Sequence, residues 1–197
     1  CKNADSLMNN ETAYVIKNLH APINTEYAEY SPIITLDGSA LFFTSRRLRS
    51  DDSNIKDVSP QDGKYFEDIY RYKVLPNGSW GEPELVDFSR TDRNEASVST
   101  SSSGQQIFVY QDDEGDGNIY VSDLFDTVFT EIQFFDGNLN SESWESHACI
   151  SPDGNTIFFV SDREGGYGGR DIYRIKKLPT GDWSLAQNLG PKINTEY

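Results

Sequence analysis

Short apolar runs of four or five residues recur along this chain, each bounded by polar turns. Leu41-Phe42-Phe43-Thr44-Ser45, Ile107-Phe108-Val109-Tyr110 and Ile157-Phe158-Phe159-Val160-Ser161 are rich in Phe, Ile, Val and Tyr, a composition and length that predict strands. Each run follows a glycine turn: Asp37-Gly38, Ser103-Gly104 and Asp153-Gly154. Asp-Gly suits a two-residue hairpin in which both central residues take positive φ, which Gly allows and Asp tolerates. Only Asn3 to Val15 reads as helical, with Ala4, Leu7, Met8 and Val15 on one side.

The runs belong to a repeat of four landmarks in fixed order. An Asn/Arg-Thr/Ser-acid step leads to a Glu: Asn24-Thr25-Glu26 to Glu29, Arg90-Thr91-Asp92 to Glu95, Asn140-Ser141-Glu142 to Glu145. The glycine turn comes next, then the apolar run, then a polar-Ile-Tyr triplet: Asp68-Ile69-Tyr70, Asn118-Ile119-Tyr120, Asp171-Ile172-Tyr173. Trp80, Phe129 or Trp183 opens the approach to the following step. The triplets lie about 50 residues apart, a period that suits a propeller blade and exceeds a leucine-rich or ankyrin repeat.

The predicted fold is all-β: a partial β-propeller of about three four-stranded antiparallel blades, with a short N-terminal helical segment. Blades are expected at about 23–89, 90–139 and 140–190 within a propeller portion spanning 18–197, preceded by a helical linker over 1–17 from an upstream module. Ile193-Asn194-Thr195-Glu196-Tyr197 copies Ile23-Asn24-Thr25-Glu26-Tyr27 and starts a further blade. Propellers typically close with four or more blades, so the arc is expected to be a piece of a longer protein. The alternative is that two copies pair into a six-bladed ring.

A net charge of −15 repels phosphate backbones and anionic headgroups, which argues against nucleic-acid or membrane-surface binding and suits an exported domain. No apolar run is long enough to span a bilayer. Cys149, in the strand pattern His147-Ala148-Cys149-Ile150, reads as a small buried hydrophobe. Cys1 reads as a point at which the chain was cut, with a lipidated lipoprotein N-terminus as the alternative.

The third unit is the most specific: Ser151-Pro152-Asp153-Gly154, Ile157 to Val160, Ser161-Asp162-Arg163, glycines, then Asp171-Ile172-Tyr173. It resembles the TolB-type, WD-like propeller repeat. The first unit matches well through Thr44-Ser45-Arg46-Arg47, whereas Tyr110-Gln111-Asp112 replaces Ser-Asp-Arg in the second. The opening Cys1-Lys2-Asn3-Ala4, Ile16-Lys17-Asn18-Leu19 and Ile23 to Pro32 is similar to a modular Bacteroidetes envelope family of TPR helices, propeller and OmpA-like peptidoglycan-binding domain. Some members serve type IX secretion and gliding as lipidated, outer-membrane-associated scaffolds. The resemblance implies a cell-envelope location, periplasmic or outer-membrane associated; peptidoglycan binding would belong to modules outside these residues.

Few residues are left for chemistry. Asp112, Asp113, Glu114 and Asp116 offer closely spaced carboxylates on a Gly-flexed loop, the oxygen-rich set that suits Ca²⁺, but without the EF-hand pattern; the competing reading is a solvated inter-strand loop. Asp68 and Asp171 are expected to accept from turn amides or from Arg46 or Arg163. Gly165-Gly166-Tyr167-Gly168-Gly169 lacks the Lys-Ser/Thr of a phosphate loop. His20 and His147 have no zinc spacing, and no Gly-x-Ser-x-Gly elbow occurs. The polar insertion Leu48 to Lys64 is a partner surface or a disordered decoration. A non-catalytic protein-interaction scaffold is therefore expected, with no cofactor. The alternatives are a propeller accessory to a hydrolase and a glycan-binding propeller using Trp80, Trp144 and Trp183, of which Trp80 and Trp183 also fit inter-blade packing.

Overall fold

The computed structural model describes residues 8–9, 15–112 and 117–196, with Ser97 as backbone alone. Among these, thirteen strands form three antiparallel sheets. The first holds β1 (Glu29–Ile34), β2 (Ala40–Ser45), β3 (Asp68–Lys73) and β4 (Glu84–Leu85) in chain order. The second holds β5 (Glu95–Thr100), β6 (Gln106–Gln111), β7 (Asn118–Phe125) and β8 (Val128–Phe129), with β9 (Gln133–Phe134) also on β7. The third repeats the first pattern with β10 (Glu145–Ile150), β11 (Thr156–Ser161), β12 (Asp171–Lys176) and β13 (Gln187–Asn188). β5 packs against both β1 and β10, so the first strands of the sheets converge.

Strand alternation sends successive side chains to opposite faces, and the facing sides of adjacent sheets pack together. Phe42 and Ile69 of the first sheet pack with Ile107 and Val109 of the second. Phe108 and Ile119 of the second pack in turn with Ile157, Phe159 and Ile175 of the third. Among the described residues the corresponding outward face of the third sheet has no such neighbour: Ile172 is 38% exposed, whereas Ile69 and Ile119 are 0%.

One polar layer runs across the same end of every sheet. Pairing register aligns Glu29, Ser45 and Asp68; Glu95, Gln111 and Asn118; and Glu145, Ser161 and Asp171. In the first and third sheets an arginine closes this layer. Arg47 donates to Ser45 Oγ at 2.9 Å and Glu29 Oε1 at 3.2 Å, and lies 4.8 Å above the Tyr70 ring. Arg163 donates to Ser161 Oγ at 2.9 Å and Glu145 Oε1 at 3.0 Å, and lies 4.9 Å above Phe159. The partners expected for Asp68 and Asp171 are corrected in part: the turn amide holds at Asp171, and neither Arg46 nor Arg163 pairs with either aspartate. An arginine two residues beyond the strand-end serine points to the serine's side, where the glutamate lies. Asp68 is held instead by Arg49 at 2.6 and 2.9 Å, and Asp171 by the Tyr167 amide and Asn188.

The recurring asparagine joins units. Asn140 Nδ2 donates to the Ile119 carbonyl at 2.8 Å, and Asn140 Oδ1 accepts from the Ile119 amide at 2.9 Å. Asn194 makes the same two bonds to Ile172. Trp183 packs 5.8 Å from Phe135 of the preceding sheet, an inter-sheet role.

Four further expectations change. The hairpin turns are longer than two residues, and of Asp37 and Gly38 only Gly38 has positive φ, at 70°. The Asp37 carboxylate spans the turn, accepting from the Ser39 amide at 2.9 Å and the Thr35 hydroxyl at 2.7 Å, which holds Asp37 itself in ordinary backbone space. The fourth strands are only two residues long, and the second sheet carries five strands. Cys149 is exposed: Ala148 takes the core side of β10, so its neighbour faces away. The helix expected over Asn3–Val15 gains no support; most of that stretch lies outside the described residues, as does Cys1, and the described residues hold no helical element. No helix among them is long and apolar enough to cross a membrane.

The arginine clamps yield a test. Glu145 is fully buried, so Arg163→Met, which leaves its carboxylate without a counter-charge, should cost about 3–5 kcal/mol. Adding Glu145→Gln should recover part of that loss. Urea denaturation of the two variants measures both.

Candidate functional site

The second sheet keeps the buried glutamate and lacks the clamp. The position of Arg47 and Arg163 falls to Asp113, and Gln111 replaces serine. Glu95 is 1% exposed and its Oε2 has no hydrogen-bond partner; Asn118 Oδ1 is likewise unpartnered. Burial, reinforced by the neighbouring Asp68 carboxylate, pushes the Glu95 carboxyl up to about 8. The shift favours the protonated carboxyl, whereas the neighbouring layers set a guanidinium against the carboxylate.

The calcium candidate falls mostly outside the described residues, which exclude Asp113, Glu114 and Asp116. Asp112 is described, with its Oδ2 3.5 Å from the Tyr110 hydroxyl. Among the described residues no three metal-binding side chains gather.

A cleft of about 420 Å³ opens where the three first strands converge, within the size range of small-ligand sites. Its functional lining is Tyr30, Glu67, Tyr110, Trp144, His147 and Arg170, drawn from all three sheets. Each first strand carries a register irregularity, between Tyr30 and Ile33, Ser97 and Ser99, and Glu145 and His147. Such bulges re-aim side chains; the last turns both Ser146 and His147 toward the cleft, where their side chains lie 2.9 Å apart.

Trp144 is the fixed element of this wall. Its indole N–H donates to the Tyr110 hydroxyl at 2.8 Å, and its backbone N–H donates to Asp162 Oδ1 at 2.8 Å. Burial first pushes the Tyr110 phenol up, which keeps it a neutral hydroxyl. Gly117 is required beneath the ring, because a Cβ there would fall inside the indole. Arg170 lies over the ring, its guanidinium carbon 3.7 Å from the centroid. On the opposite wall Tyr30 is raised by burial and by the adjacent Glu67 carboxylate.

The Leu48–Lys64 insertion opens on the same end, because it joins the end of β2 to the start of β3. It is folded, not a disordered decoration. Buried Asn54 accepts from the Arg49 amide at 2.9 Å and donates to the Arg47 carbonyl at 3.1 Å. Arg46 fixes the far end through the Tyr65 carbonyl and Asp62, both at 2.6 Å. Ile55 and Val58 remain exposed on it. A second hollow of about 450 Å³, with Tyr27, Arg46, Val58 and Tyr65 in its wall, lies between this insertion and the entry segment.

Superposition on known structures gives the architecture its name. TolB from Acinetobacter baumannii matches with a TM-score of 0.54 at 21% identity, over 86% of this chain and 34% of that one. The fold is that of a TolB-type β-propeller. This propeller arc spans about a third of the length of the Acinetobacter protein. Two weaker likenesses are a putative TolB from Agrobacterium tumefaciens (TM-score 0.43, 20% identity, 85% of this chain and 63% of that one) and prolyl oligopeptidase B from Galerina marginata (0.48, 15%, 82% and 21%). No protein-family model and no curated protein matches the sequence.

Of the residues singled out from sequence, Trp144 and His147 reach the propeller's cleft, while Trp80 and Trp183 pack against the cores. Tyr30, Glu67, Tyr110 and Arg170 carried no local signal. The one available cue was that Trp144 stands out of register with Trp80, Phe129 and Trp183.

Glu95 makes stability depend on pH. Its folded value of about 8 exceeds the unfolded 4.5, so the folded state holds a proton that the unfolded chain releases. That contribution is complete below 4.5 and is lost as pH rises through 8, by roughly 3–5 kcal/mol. Glu95→Gln should therefore gain stability over the wild type progressively across this window. Denaturation midpoints measured against pH check it; a constant difference would contradict it.

Proposed function

We propose that this chain is a non-catalytic interaction module of a bacterial cell-envelope protein, which grips a segment of a protein partner in the axial cleft with help from the Leu48–Lys64 insertion. The observation that carries the reading is the cleft wall itself. Residues from three sheets are held in place by hydrogen bonds and a glycine contact, beside a folded insertion that exposes Ile55 and Val58. Preorganised aromatic and arginine side chains of this kind are the ones that anchor partners.

The envelope location rests on the repeat motifs and their resemblance to the modular envelope family, and so does a role beside type IX secretion or peptidoglycan. A glycan platform at Trp144 is the weaker reading, since Arg170 already covers one indole face. The exposed outward face of the third sheet supports completion of the arc, by further repeats or by a second copy.

Partner capture from the native host, with crosslinking, tests the module. Trp144→Ala and the pair Ile55→Ser with Val58→Ser should each lower recovery of the same protein about tenfold with denaturation midpoints little changed for the loop pair. Full recovery with all of these variants would overturn the reading.

A further inference from the structure

Arg170 stands apart from every other arginine. Arg46, Arg47, Arg49, Arg71, Arg90, Arg93 and Arg163 each face a carboxylate, and Arg174 faces the Gln187 side-chain oxygen. Among the described residues Arg170 has no oxygen partner, only the Trp144 ring. That is unexpected in a chain with 32 acidic residues and 17 basic ones. We propose that Arg170 is a carboxylate-binding subsite of the cleft, taking the side chain of a single aspartate or glutamate in an otherwise uncharged, extended partner segment. The proposal rests on the cleft being the interaction site.

The geometry suits that ligand. At 3.7 Å from the ring centroid the guanidinium makes no hydrogen bond among the described residues, so its N–H fork is available to meet a carboxylate through two parallel bonds. The indole is held in place: its N–H is bonded to Tyr110, the Trp144 backbone N–H is bonded to Asp162, and the ring edge packs against Gly117. The cation is therefore positioned before any ligand arrives, which lowers the ordering cost of binding. Ser146 and His147 line the same cleft and add polar groups along its β10 edge.

Charge elsewhere limits which acidic ligands fit. Glu67 lies on the opposite wall, and Asp112 and Asp162 flank Tyr110 and Trp144. With a net charge of −15 behind them, these groups repel a run of acids at long range. One carboxylate can reach Arg170 through a short-range bidentate contact; a polyacidic stretch would meet Glu67 as well. Specificity then comes from both the fork and the surrounding repulsion.

The test uses blocked pentapeptides Ala-Val-Asp-Val-Ala, its Asn counterpart, and Ala-Asp-Asp-Asp-Ala. Binding is followed by the NMR shift of the Trp144 indole proton, assigned with Trp144→Phe. The single-Asp peptide should shift this proton saturably in the millimolar range and about tenfold more tightly than the Asn or triple-Asp peptides. Arg170→Gln, at an exposed site, should abolish that preference, and Arg170→Lys should restore only part of it. Equal titration by the Asp and Asn peptides would overturn the carboxylate subsite while leaving the cleft in place as a peptide site. No shift from any peptide would also reject the subsite; the cleft itself would then stand or fall on Trp144→Ala in partner capture.

Discussion

Each blade begins with a largely buried glutamate where the first strands meet, and in the outer two blades the local structure is arranged around keeping that carboxyl satisfied. Glu29 and Glu145 sit at the junction of register, turn and strand end, each receiving a Thr or Ser from the entry step, a serine from the second strand and an arginine. Such a network specifies one arrangement, since a buried carboxylate with a missing partner is costly. It also explains why the repeat needs Ser-x-Arg at that point while tolerating wide changes on the outer strands. The arginine adds a second function by covering the aromatic pair below it, Phe43 with Tyr70 or Phe159 with Tyr173, so one side chain joins the polar layer to the apolar core.

The middle blade relaxes this rule, and the cleft lies beside the relaxation. Tyr110-Gln111-Asp112 ends β6 where the neighbours have Thr44-Ser45-Arg46 or Val160-Ser161-Asp162. Without that guanidinium, burial raises the Glu95 carboxyl and favours its neutral form, and the stacking plate shrinks from Phe to Val109. What the blade gains is Tyr110, whose hydroxyl takes the Trp144 indole proton, and Gly117, on which the ring rests. The middle blade is packed on both faces, by β1 to β3 on one side and β10 to β12 on the other. It can give up an internal ion pair without giving up its core.

The apolar runs, the glycine turns and the period of the repeat were legible because they are local: alternation and Gly at positive φ are read within a few residues. Placement across blades was not. Arg163 lies eight residues before Asp171, yet its partner is Glu145, because Arg163 follows strand-end Ser161 by two and so falls on the glutamate's side of the sheet. Cys149 sits in an apolar stretch that also contains Ala148; only the bulge beside His147 decides which of the two faces the core. The cleft is assembled from residues between positions 30 and 170, and no window of sequence contains it. The absent arginine of the middle unit was visible as a broken motif, but its meaning needed Glu95 to be seen buried with its Oε2 unpartnered.

Exposure along the arc is directional, and that bears on what the molecule can do. Equivalent side chains go from fully buried at Ile69 and Ile119 to 38% exposed at Ile172, while Asn194 already bonds the Ile172 peptide group. The joint at this face is therefore made before the face itself is covered. A flexible connection would leave the two polar bonds of the asparagine exposed to water, where each contributes little; an apolar cover would strengthen them by excluding it. The same order applies at Asn140, where the completed joint lies against the core around Leu139. In this architecture hydrogen bonds set where the next blade goes, and burial then fixes it there, so the cleft at the axis inherits its geometry from blade-to-blade packing more than from any loop of its own.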